Sequence, residues 1–199
     1  ETEELPVDNW RGKWIWYRED HYGCPNSTRY FRYHVNVPGT PEIGSLQITG
    51  DDRVKLWIND MEISLGDEAK EWGSISTVEG LQDYMVAGDN IIAIEVSNDS
   101  SAGALLFDGY VETDDGTRVD LYSNGTVLSS TEKVEGWNTA KYDDSKWIAA
   151  KIIGEVGMPP WGNFEFDASP YIKEAFEVLE YEITEELEVG EEAKLTMTI

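Results

Sequence analysis

Between Leu46 and Leu106 the apolar residues alternate with polar ones in short runs: Leu46 and Ile48, then Val54, Leu56 and Ile58, then Ile92, Ile94 and Val96. Asp51-Asp52, Asn59-Asp60 and Gly88-Asp89-Asn90 punctuate them. A period of two places every second side chain on one face, and these punctuating residues are the ones that reverse a chain, so each run reads as a half-buried strand. Phe31, Tyr33, Val35 and Val37 share one face of a further strand upstream. Downstream, Asp114-Asp115-Gly116 and Asn124-Gly125 carry hairpin signals. Strands at this spacing, with almost no helical periodicity between them, predict a sandwich or jelly roll.

The punctuation also suggests where the domain ends. Residues 67–78 read as a connection carrying Trp72, and Pro159-Pro160 with Gly162 mark a rigid loop around Trp161. From residue 170 the character changes: Leu179, Tyr181 and Ile183 alternate with polar residues, as do Ala193, Leu195, Met197 and Ile199. The expected organisation is therefore a β-sandwich over 1–169, followed over 170–199 by a linker and a β-hairpin. A lone hairpin is unstable in water, so those strands need a partner in the same chain or another. Leu195, Met197 and Ile199 are the residues expected at such an assembly interface.

Forty acidic residues against fifteen basic ones give a formal charge of -25. Phosphate backbones would be repelled, which excludes nucleic-acid binding. The charge also suits anionic membranes poorly, and no apolar run approaches the length of a membrane span. Cys24 is the one cysteine, so an internal disulfide is impossible. The chain begins Glu-Thr-Glu-Glu, which reads as a processed or trimmed start. Three N-x-S/T sequons, at Asn26, Asn98 and Asn124, fall in expected turns and point to a secreted or cell-surface glycoprotein.

Motifs for catalysis are sparse. The sequence has no GxSxG elbow, HExxH pair, phosphate-binding loop or dinucleotide fingerprint. His34 falls on the polar face of its strand, and Cys24 with His21 lacks a third orienting group for nucleophilic work. Forty carboxylates single out no acid/base pair. Aromatic residues are better supplied, with eight Trp and ten Tyr. Sugars stack their apolar faces on such rings and hydrogen-bond to Asn, Asp and Arg. Trp14, Trp16 and Trp147 sit in strand-like segments and read as core, whereas Trp72, Trp137 and Trp161 lie near loops and read as stacking candidates.

The runs LQITGDDRVKLWINDMEI and YMVAGDNIIAIEVSNDSSAGALLF, preceded by WIWYRED and YFRYHVNVP and followed by GWNTAKYDDSKWIAAKIIGEVGMPPWG, carry a family likeness. Together they resemble the galactose-binding-like jelly-roll domains attached to α-L-rhamnosidases and β-galactosidase-type glycosidases, over roughly residues 10–163. The tail LEVGEEAKLTMTI resembles the opening hairpin of an immunoglobulin-like domain. Asp60 stands where the family usually has Gly, and residues 121–130 lack a Trp often found there, which points to a remodelled ligand loop.

The resemblance implies an all-β fold, a galactose-binding-like jelly-roll β-sandwich, acting outside the cell as a non-catalytic carbohydrate-binding module for a glycan or polysaccharide. Trp72, Trp137, Trp161 and Asn59 are the expected sugar-binding residues. Related rhamnose-binding modules combine calcium with Asp and Asn, so Asp51 and Asp52 are the expected metal ligands. Alternatively, Asp52 caps its own turn and Asn59 takes a positive-φ hairpin conformation. A second function is also open: a structural subunit of an extracellular filament or surface layer, self-assembling through its C-terminal strands.

Overall fold

In strand β2 (Ser27–Val37), Phe31, Val35 and Val37 are buried while His34 and Asn36 are exposed, the pattern of a strand with one face on a core. The computed structural model describes residues 10–18, 21–66 and 73–165, which belong to a compact unit spanning 8–166. Among the described residues twelve strands form two six-stranded antiparallel sheets. The all-β sandwich expected from the alternation is what the chain adopts. The 3-10 turn Leu81–Asp83 is the helical element among the described residues.

The first sheet holds β1 (Trp14–Trp16), β3 (Pro41–Asp51), β6 (Ser76–Glu79), β8 (Ala104–Thr113), β9 (Arg118–Tyr122) and β12 (Lys151–Gly154). Its spine runs β12-β1-β8-β3-β6, and β9 pairs along β8 beyond β1. The second holds β2, β4 (Arg53–Ile58), β5 (Met61–Ile63), β7 (Gly88–Asn98), β10 (Leu128–Ser130) and β11 (Ile148–Ala149), in the order β11-β10-β2-β7-β4-β5. Asn59 and Asp60 close the β4–β5 hairpin with φ of 47° and 76°, the left-handed pair that a two-residue turn of this hand needs. Asp114–Gly116 likewise joins β8 to β9. Asn124-Gly125 does not make a hairpin: β9 lies in the first sheet and β10 in the second, so this turn carries the chain across the sandwich.

The core lies between the sheets. Leu46 and Ile48 of β3 and Leu105, Phe107 and Val111 of β8 meet Phe31, Leu56, Ile58, Ile92, Ile94 and Val96 from the opposite sheet. Each such side chain contributes about 1.5–3 kcal/mol by leaving water. Trp16 closes the core near one end, and a Cβ added at Gly103 would fall 2.4 Å from its ring. No side chain fits there.

Both outer faces are also partly covered. On the second sheet, Trp137 packs on Tyr30, Ile91 and Ala93, flanked by Trp57, Tyr142 and Trp147. Fully buried Arg32 holds that covering loop: its Nε donates to Asp144 at 2.6 Å, and Nη1 donates to the carbonyls of Trp137 and Thr139. On the first sheet, Trp161 packs with Trp14, Ala102, Ala104 and Leu106.

Candidate functional site

Strand β3 ends at Asp51 and β4 begins at Arg53, so the chain changes sheets across two consecutive carboxylates whose peptide bond is cis. Asp52 is tied to the end of β7: its N–H donates to the Ser97 carbonyl at 2.7 Å, and its carboxylate accepts from the Asp99 N–H at 2.6 Å. Arg53 forms a two-pronged ion pair with Asp99. The Arg53 guanidinium, through that hydrogen bond and its charge, holds the Asp99 carboxyl below the usual range.

Asp51 is buried, and its carboxylate accepts a 2.9 Å hydrogen bond from Trp161 Nε1. Burial pushes its pKa up to about 7, because a charge is disfavoured away from water. The Trp161 N–H opposes that rise, whereas the hydrogen bond with Asp52 and its charge add to it. The Asp51 carboxyl thus holds its proton up to near neutral pH.

Trp161 also starts an aromatic ladder toward solvent. Its ring centroid lies 5.8 Å from His21, and His21 lies 4.3 Å from Tyr22. Tyr22 is 51% exposed, and its hydroxyl donates to the Pro159 carbonyl at 3.2 Å. The Gly103 N–H donates to the His21 carbonyl at 2.9 Å. Four loops therefore converge on one end of the sandwich, presenting carboxylates, a guanidinium and the half-exposed Tyr22 ring. That set can both accept and donate to hydroxyls while stacking on a ring face.

Beside this end, a depression of about 600 Å³ runs along β4 and β7, lined by residues that include Arg53, Lys55, Glu62, Leu65, Glu95 and Ser97. Glu95 is 8% exposed and lies 2.7 Å from Lys133 and 3.7 Å from Lys55.

The expected site residues are only partly brought together. Trp161 joins Asp51, but as a buried hydrogen-bond donor packed 4.7 Å from Trp14, so it offers no open face for stacking. Trp137 is likewise 3% exposed, enclosed by Tyr30, Trp57 and Trp147. Both sit in turns that fold back over a sheet, which is why proximity to Gly and Pro did not mean exposure. Asn59 is the positive-φ residue of its hairpin, with its amide bonded to the Tyr84 carbonyl and to Asn90, and it accepts from the Ile91 N–H. Its polar atoms serve the hairpin rather than a ligand.

Among the sequons, Asn98 is corrected: it ends β7, is 1% exposed and donates to the Cys24 carbonyl, leaving no room for a glycan on its amide. Asn26 stands exposed in a turn, and Asn124 is half-buried. Cys24 is buried against the Trp16 Nε1 and donates to the backbone carbonyl of His21, not to its ring. Trp72, Leu195, Met197 and Ile199 lie outside the described residues. Tyr22, Arg53 and Asp99 are the residues sequence reasoning passed over. Asp99 sits inside the Asn98 sequon, and Arg53 directly follows the Asp pair.

No protein-family model matches this chain. It is 28% identical over 155 residues to an α-L-rhamnosidase of Streptomyces avermitilis, covering 75% of this chain and 15% of that enzyme. The chain thus spans about a seventh of the curated relative it matches. The crystal structure of the Streptomyces avermitilis α-L-rhamnosidase complexed with L-rhamnose superposes with a TM-score of 0.72 at 25% identity, over 81% of this chain and 16% of that one. A lectin from Pleurotus ostreatus, also solved in complex with GalNAc, gives 0.66 at 23% identity over 76% of this chain and 44% of that one. An α-L-rhamnosidase from Dictyoglomus thermophilum gives 0.65 at 18% identity over 79% of this chain and 22% of that one. The chain is accordingly similar to the carbohydrate-binding jelly-roll domains attached to rhamnosidases, as its motifs led one to expect.

Proposed function

We propose that this domain is a non-catalytic carbohydrate-binding module of a larger secreted or cell-surface protein. The observation that carries the reading is the end-loop cluster, where Trp161 links the Asp51-Asp52 pair to the His21–Tyr22 ladder. Tyr22 supplies a stacking face, and Asp52, Arg53 and Asp99 supply polar partners for ring hydroxyls. The similarity to a rhamnosidase complexed with L-rhamnose and to a lectin complexed with GalNAc supports a sugar as the ligand. Matching 15% of the rhamnosidase is the share of an appended domain, which supports binding without turnover.

Calcium belongs to the same reading. Asp51 and Asp52 are adjacent hard oxygen donors, and a divalent cation would take the place of the Asp51 proton while offering open positions to sugar hydroxyls. Among the described residues no three His, Cys, Asp or Glu side chains converge on one point, so the remaining ligands would come from carbonyls, water or the sugar.

Calorimetry with L-rhamnose and N-acetylgalactosamine, with and without calcium, tests the proposal. Saturable binding lost in Tyr22→Ala and Asp52→Asn is the expected result, with nitrophenyl rhamnoside left intact. No binding to either sugar or to a glycan array would overturn it. The assembly alternative rests on residues 170–199, which lie outside the described residues.

A further inference from the structure

Arg53 and Ser97 belong to two features at once. At the end of the sandwich, Arg53 pairs with Asp99, and the Ser97 carbonyl accepts from Asp52. The same two residues also line the 600 Å³ depression that continues along the outward face of the second sheet toward Lys55 and Glu95. In the β4–β7 ladder Arg53 stands opposite Ser97 and Lys55 opposite Glu95, so the charged lining advances in register by every second cross-strand pair, those that share the outward face.

The depression has a wall as well as a floor. Strand β5 pairs with β4 only at Leu56–Ile58, and the chain beyond it brings Leu65 alongside the unpaired part of β4. The volume lies within the range of about 300–1,000 Å³ typical of ligand sites. Leu65 supplies apolar surface, and Ser97 with the charged groups supplies donors and acceptors.

The charges along the groove are paired. Arg53 faces Asp99, and Glu95 stands between Lys55 and Lys133. Balanced pairs give little net potential but many hydrogen-bonding atoms, which suits hydroxyl groups better than ions. A polyanion would further be repelled by the chain's charge of -25. A cation would have to displace Lys133 from Glu95.

We infer that the groove is an extension of the end-loop site and that the ligand is an uncharged oligosaccharide of more than one residue: one sugar held at the Asp52–Asp99 end, its neighbours lying along Arg53, Lys55 and Glu95. The inference rests on the carbohydrate-binding reading above and adds chain length to it. Binding along an extended groove gains affinity with each residue that contacts the wall, whereas a single-sugar pocket gains none.

The test compares L-rhamnose with rhamnose-linked disaccharide and trisaccharide by calorimetry, on the full chain and on Lys55→Ala and Glu62→Ala. Both substituted side chains line the groove and lie outside the end-loop cluster. Lys55 and Glu62 are also solvent-exposed, so folding is retained. The expected result is about tenfold tighter binding of the trisaccharide than of the monosaccharide. The variants should lose that gain while binding the monosaccharide as before. Equal affinity for all three sugars, or a gain untouched by both variants, overturns the extension and leaves the end-loop site standing. Absence of monosaccharide binding together with absence of trisaccharide binding overturns both.

Discussion

The indole N–H of Trp161 ends on the Asp51 carboxylate, 2.9 Å away across 110 positions of chain. The contact fastens the loop after β12 to the turn where β3 leaves its sheet. It also sets the chemistry of the turn, because it is the one interaction that favours the charged form of a carboxyl otherwise pushed toward neutrality by burial and by Asp52.

The first prediction follows from that balance. In the unfolded chain Asp51 titrates near the ordinary value of 3.8, and in the folded domain near 7. The folded state therefore holds the proton more tightly, so the Asp51 contribution to stability is fully present below about pH 4 and is lost as pH rises through 7. Melting temperature should fall between pH 5 and pH 8, and Asp51→Asn should flatten the decline. An unchanged slope in the variant would show that the Asp51 carboxyl stays charged in the fold.

Arg32 gives a second prediction. It is fully buried on the outward face of β2, and its fork reaches Asp144 and two carbonyls of the loop over the second sheet. Burial pushes the Asp144 carboxyl up, but hydrogen bonds from Arg32 and His34 outweigh it and leave the group below its usual range. Removing Arg32 takes the donor from the Trp137 and Thr139 carbonyls and leaves the Asp144 carboxylate to His34, at a cost of about 3–5 kcal/mol. Arg32→Met should lower the free energy of chemical unfolding by that amount, and a change in tryptophan emission ahead of the main transition should report the loop over Trp137 coming away first. Arg32→Lys should rescue little, since an ammonium cannot span three acceptors in a fork.

Gly103 should tolerate no side chain. Its Cβ would stand 2.4 Å from the Trp16 ring, a buried partner that cannot withdraw without disturbing the core. Gly103→Ala should therefore destabilise by about 1–3 kcal/mol, the usual cost of overpacking. It should also weaken sugar binding, because the Gly103 N–H holds the His21 carbonyl beside Tyr22. Normal stability by calorimetry would contradict the packing described.

The core and the sandwich were legible because period-two alternation survives tertiary packing: Ile92, Ile94 and Val96 face inward as their spacing requires. The satellite clusters were harder to read, yet the signal is present. Ile91 and Ala93, and Ala104 and Leu106, make their strands apolar on both faces, and a strand apolar on both faces needs a cover on each. Trp137 and Trp161 are those covers. Local turn chemistry said where they sit in the chain, not what the turn folds onto. The Asp51–Trp161 bond and the Arg53–Asp99 pair join residues distant in sequence, and no local pattern encodes their meeting.

The last prediction uses the proton as a competitor. If calcium binds at Asp51 and Asp52, the cation and the Asp51 proton contend for the same carboxylate, and metal binding must release that proton. Ligand that binds only the folded state stabilises it by mass action, so millimolar calcium should raise the melting temperature at pH 8. The rise should shrink as pH drops below about 7, where Asp51 takes up its proton. Asp51→Asn and Asp52→Asn should each abolish the increment, while Asp115→Asn, on a turn at the β8–β9 hairpin, should leave it intact. A calcium-induced rise that is equal at pH 5.5 and pH 8, or that persists in both variants, would place the ion elsewhere on this acidic surface and remove the Asp pair from the sugar site.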